Sequence, residues 1–199
     1  VCSSDLKGSF EFLPTLVGSQ ASELDESGTL KNGNSSGEPS LGIKYNFSSS
    51  RVAEITINPD FSQVEADEEQ VDVNTTFALH YPEKRPFFNE GADLINTPIN
   101  VVYTRSINNP TGAGRIINRG KKDNWVLLSA FDEDSPYIIP GEEQSFTRLG
   151  GKSSSNIFRY KRALNDGSFL GLIATDRRMV NNNGSGSVVG FDTHYRFND

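Results

Sequence analysis

The chain has 199 residues, a formal charge of −7, 35% apolar residues and a mean hydropathy of −0.49. Such an acidic chain with no basic stripe excludes a nucleic-acid partner, since phosphates need a concentrated cationic surface. No apolar run approaches the ~20 residues of a membrane helix, yet a membrane β-barrel stays open because half of each barrel strand faces a polar lumen. Thirteen Phe and six Tyr beside 18 Gly suit short strands and polar turns better than packed helices.

The opening VCSSDL, residues 1–6, matches the translation of a sequencing adaptor and is expected to be foreign. Setting it aside removes Cys2, the only cysteine, and with it any disulfide, thiolate metal site or cysteine nucleophile. Residues 7–199 are then expected to be a partial domain, incomplete at both ends.

Period-two alternation predicts about ten strands and no convincing helix. The first covers 9–18, with Phe10 and Phe12 opposite Glu11, and a polar, glycine-bearing stretch at 19–38 reads as a mobile loop. Strands at 40–47 and 52–58 pair as a hairpin across Ser48, Ser49 and Ser50, placing Ile43, Tyr45 and Phe47 with Ala53, Ile55 and Ile57 on one face. The longest clean run is 71–81, eleven residues, the length a tilted strand needs to cross a hydrocarbon layer. Further strands are predicted at 100–107, 114–119, 125–131, 156–162, 168–175 and 187–197.

The connections alternate in length. Short turns at 48–50, 120–123 and 164–167 contrast with long polar segments at 19–38, 132–155 and 176–186. This is the layout of an antiparallel up-and-down sheet forming part of a transmembrane β-barrel, and the aromatic-free faces carry charge as a wet lumen permits. A soluble all-β module also alternates, and 125–131 and 168–175 are apolar on both faces. Tyr45, Tyr81, Tyr103 and Tyr195 read equally as interface aromatics or ordinary strand formers.

Candidate chemistry is sparse. Asp60, Glu65, Asp67, Glu68 and Glu69 lack the spacing of a calcium loop and read as a solvated acidic connection. His80 and His194 have no second ligand at metal spacing, so no metal or cofactor is expected. The sequons at Asn46 and Asn183 read as chance. Glu83, Glu90 and Asp93 are the only candidate catalytic carboxylates, and a glycosidase would use two of them at a fixed separation. With Lys84 and Arg85 beside Phe87 and Phe88, the same residues read as an ion-pair network anchoring an irregular segment. By the parity of the loops, residues 82–98 fall on the short-turn side and are expected to fold inward as a partial plug.

Three blocks carry a resemblance: TINPDFSQVEADEEQV, FALHYPEKRPFFNEGADL and VVYTRSI. They resemble a bacterial family in which a family-9-like carbohydrate-binding module precedes a large β-barrel domain of unknown function, numbered 5916. The motif residues are Asn58, Pro59, Asp60, Phe61, Ser62, Gln63, Val64, Glu65, Ala66 and Asp67, then Pro82, Glu83, Lys84, Arg85, Pro86, Phe87, Phe88, Glu90 and Gly91, with Tyr103 and Arg105. Asn89 and Ser106 depart from the usual pattern. The resemblance implies a Gram-negative outer-membrane barrel in contact with lipid and serving carbohydrate binding or uptake. A carbohydrate-active hydrolase is the alternative, and a soluble binding module the second.

Overall fold

The computed structural model describes residues 8–24, 30–59, 83–140, 145–149, 151–164, 167–180 and 184–197. Its strands are β1 (Ser9–Leu24), β2 (Leu30–Ser48), β3 (Arg51–Ile57), β4 (Pro110–Arg119), β5 (Asp123–Asp132), β6 (Pro136–Pro140), β7 (Ser145–Leu149), β8 (Ser153–Ala163), β9 (Phe169–Met179) and β10 (Ser185–His194). Eight of them form one antiparallel up-and-down sheet in the order β1-β2-β3-β4-β5-β8-β9-β10, while β6 and β7 make a separate hairpin. Among the described residues the sheet does not close, and β1 and β10 are its edges.

Several expectations are corrected. The stretch read as a mobile loop at 19–38 is mostly paired strand, with Ser19 opposite Ser36 and Leu24 opposite Leu30. Its serines, asparagines and glycines alternate too weakly to signal a strand, while the backbone pairs along the ladder. The predicted loop at 132–155 contains the β6–β7 hairpin, and 176–186 is largely the paired ends of β9 and β10.

Residues 100–107 are not a strand. They hold a 3₁₀ turn at Thr104–Ser106, where Ser106 Oγ donates to the Tyr103 carbonyl at 2.7 Å, a local bond that competes with sheet pairing. β3 pairs directly with β4, Ile55 opposite Gly114, so nothing is inserted between them. The predicted strand at 71–81, with Tyr81 and His80, lies outside the described residues.

Two short helices also stand where none is expected: α1 (Pro86–Asn89) and α2 (Ala92–Ile95). Pro86 has the fixed φ that starts α1. Gly91, at φ 90°, separates the two in the left-handed region that favours glycine. Each is one turn long, too brief for a 3.6 period to show in the sequence.

The strand register gives each face of the sheet a distinct character. One face carries a single cross-strand row that touches every strand: Phe10, Tyr45, Ala53, Ile116, Leu127, Phe158, Ala174 and Val189. The other face carries Lys44, Glu54, Arg115, Asp132, Arg159 and Asp192 among small and apolar residues. Over this polar face lies the 83–109 segment, which buries Phe87, Phe88, Leu94, Ile95 and Ile107 against Ala113, Ile117, Val126, Leu128, Ala130 and Ile157. This explains why 125–131 is apolar on both faces: Val126, Leu128 and Ala130 meet the segment, while Leu127 and Phe131 point away and stay exposed.

The position of the segment corrects the loop parity. β3 runs away from the Ser49–Ser50 turn, so the 58–109 connection leaves the sheet at the end that also carries the β1–β2 tip, the β6–β7 hairpin and the β9–β10 turn. Residues 82–98 therefore belong to a long-loop connection, not a short-turn one. The expectation counted 100–107 as a strand, whereas β3 pairs directly with β4.

Candidate functional site

The site is the contact between the polar face and the 83–109 segment. Arg115 sits on β4 between the inward neighbours Ala113 and Ile117 and is 3% exposed. It donates through Nη1 to the Phe87 carbonyl and, at 2.9 Å, to the Glu90 carbonyl, and through Nη2 to the Glu54 and Glu90 carboxylates. Its guanidinium lies 4.8 Å from the Phe87 ring centroid, a cation–π distance. Both α1 and the Glu90 turn are thus held by one wall side chain.

Arg159 on β8 is fully buried. Its Nε donates to the Leu94 carbonyl at 3.2 Å, and its two terminal nitrogens make a fork on Asp192 at 2.5 and 2.7 Å. Arg177 on β9 donates to the Ser106 carbonyl at 2.8 Å. At the short-turn end Arg119 forks onto Asp93, both bonds 2.7 Å, and Lys44 reaches Glu90 at 3.5 Å.

The segment also ties its own start to its end. Arg85 donates to Glu83 at 2.8 Å and to the Ile107 and Thr104 carbonyls at 2.6 and 3.0 Å, while it covers the Phe88 ring at 4.2 Å. Thr104 Oγ1 donates to Glu83 at 2.6 Å. Burial raises the Glu83 carboxyl, but the hydrogen bonds from Arg85 and Thr104 and the Arg85 charge outweigh it and hold its pKa below the ordinary value. The hydrogen bond from Arg119 lowers Asp93 likewise, against a smaller opposing effect of burial.

Where the chain returns to the sheet, Asp132 closes the far end. Its carboxylate accepts from the backbone N–H of Asn108 at 3.1 Å and of Asn109 at 2.6 Å, and from Ser135 Oγ at 2.8 Å. At the opposite corner Asn58, with φ 47°, donates from its side chain to the Pro39 carbonyl at 2.9 Å and from its backbone to Thr111 at 2.8 Å. Asn is among the few residues that tolerate this left-handed conformation.

The three candidate carboxylates, Glu83, Glu90 and Asp93, are each paired with a guanidinium. Of the motif residues, Asn58, Pro59, Glu83 to Gly91, Tyr103 and Arg105 are described; Asp60 to Asp67 and Pro82 lie outside the described residues, as do Glu68 and Glu69. Tyr103 precedes the 3₁₀ turn of the 83–109 segment and is not in a strand. The His194 ring stacks on Phe169 at 6.0 Å.

Sequence reasoning missed the wall partners Arg115, Arg159, Asp132 and Asp192. A signal was present in the strands: Arg115 and Arg159 occupy inward positions flanked at i−2 by Ala113 and Ile157. A lone arginine in an apolar alternation needs a partner that only tertiary structure supplies.

Fold and site define an all-β protein whose antiparallel sheet clamps an irregular segment of its own chain against its polar face. Residues 12–126 match the family model described as "Domain of unknown function (DUF5916)", and the chain belongs to that family. No curated protein and no solved structure matches it.

Proposed function

We propose that the chain forms part of the wall of a transmembrane β-barrel in a bacterial outer membrane, with the apolar face toward lipid and the clamped segment inside. The carrying observation is the apolar row across all eight strands of the sheet, on the face opposite Lys44, Glu54, Arg115, Arg159 and Asp192. Phe10 is 64% exposed, Val189 66% and Phe191 83%, and an exposed apolar row of this length marks a membrane or partner contact.

The apolar band also runs obliquely. On β1 it continues from the row toward the long-loop end, through Phe12 and Leu16. On β9 and β10 it continues toward the short-turn end, through Leu172, Leu170 and Phe191, while Asp176 and Ser187 lie on the other side of the row. Tilted barrel strands, typically 35–45° from the axis, put a level band across the sheet in this slanting way. Trp125 and Tyr160 pair at the short-turn end of the same face, with Tyr45 and Phe47 in ring contact at 4.5 Å, where an aromatic girdle belongs.

Carbohydrate binding or uptake is the role carried over from the family resemblance. The hydrolase alternative is disfavoured by the state of its candidates: a general acid needs a raised pKa, and those of Glu83 and Asp93 are lowered. The membrane reading is tested by expressing the full chain and separating it in detergent. Recovery in the detergent phase, with gel mobility that changes on heating, is expected. A monodisperse monomer in plain buffer sinks the reading.

A further inference from the structure

On the barrel reading, the polar face is the inside, and the 83–109 segment lies along it with a cavity on each flank. Toward β8 and β9 the space is about 140 Å³ and is bounded by Val101, Val102 and Ile157. Toward β2, β3 and β4 it is about 340 Å³ and is bounded by Lys44, Asn46, Glu90 and Arg119. The second space is the larger of the two.

The segment between these cavities is fixed at several points along its length. Arg115 and Arg159 hold α1, the Glu90 turn and α2 by their backbone carbonyls, Arg177 holds the 3₁₀ turn, and Asp132 holds the return to β4. Both Arg115 and Arg159 are almost wholly buried. Swinging the segment away strips several buried charges of their partners at once, which makes a freely opening plug unfavourable.

We propose that the segment is a resident constriction and that the space beside Asn46, Lys44, Glu90 and Arg119 is the passage it leaves for small hydrophilic solutes. Asn46 is the residue to probe, because it lines that space and its side chain is held in place by Ser9 at 3.1 Å and Glu11 at 2.9 Å. Ile55, on the opposite face, is the control.

The test uses the full-length protein whose barrel wall includes this chain, in a cysteine-free background carrying Asn46→Cys, or Ile55→Cys, reconstituted into planar lipid bilayers. Expected are discrete conductance steps that fall at least about threefold when Asn46→Cys reacts with a charged, membrane-impermeant methanethiosulfonate reagent. The Ile55→Cys steps stay unchanged. Mass spectrometry reports whether each cysteine was modified. Insertion without conductance, failure of Asn46→Cys to react, or reaction with no change in step size each overturns the passage. Failure to insert at all overturns the barrel reading beneath it, so the two ideas fail in different ways.

Discussion

Arg159 on β8 reaches across β9 to fork both terminal nitrogens onto Asp192 on β10, and it passes directly over Gly171. A Cβ at Gly171 would lie 2.3 Å from an Asp192 oxygen and 2.7 Å from an Arg159 nitrogen, so the glycine makes room for the pair. Gly171→Ala is expected to pry the fork apart and cost about 1–3 kcal/mol. Denaturant titration measures this, and an unchanged midpoint contradicts it.

Replacing Arg115 by Met leaves Glu54 and the Phe87 and Glu90 carbonyls without their shared donor. Loss of one partner from a buried pair costs about 3–5 kcal/mol. The expected outcome is a folded sheet with a loosened segment, seen as rapid tryptic cleavage at Lys84 or Arg105 while the strands resist. Equal resistance of the segment in variant and parent removes the assigned role of Arg115.

Gly91 serves two needs at once, a φ of 90° and a close approach to Ile117, whose Cδ1 would stand 2.9 Å from an added Cβ. Gly91→Ala is expected to destabilise by about 2 kcal/mol, from left-handed strain and overpacking together. Pairing it with Ile117→Val should recover part of the loss. No recovery assigns the whole effect to the backbone.

The Glu83 carboxyl titrates lower in the folded protein than in the unfolded chain, for which the value is about 4.3. A depressed carboxyl contributes stability that is present above the unfolded value and is lost as pH falls through the folded one. Amide exchange at Thr104 to Ile107, corrected for its intrinsic pH dependence, should therefore quicken below about pH 4. Glu83→Gln should abolish that pH step, and a step that persists in the variant points elsewhere.

Much of the sheet was legible because its apolar face alternates cleanly. Phe10 with Phe12, Ile43 with Tyr45, and Ala53 with Ile55 and Ile57 each point one way, and the observed strands contain them. The arm from Gly18 to Glu38 was not legible, because a run of serine, asparagine and glycine leaves no periodic apolar trace. The site was half legible. Clustered charges around Phe87 and Phe88 announced an anchored segment, while its receptors Arg115, Arg159 and Asp132 lie far along the chain and are brought to it only by the sheet register. The side of the sheet from which the segment enters was misread for a related reason: parity arguments fail when a predicted strand, here 100–107, is spent on covering the sheet.

Arginines of the wall hold the segment largely by its backbone carbonyls at Phe87, Glu90, Leu94 and Ser106. Recognition of this kind reads the path of the chain and ignores the identity of side chains that point away from the wall. Asn89 and Asn96, both exposed, can therefore be exchanged for larger, smaller or charged residues while the clamp keeps its shape. The same sheet face is in this way compatible with many different covering segments.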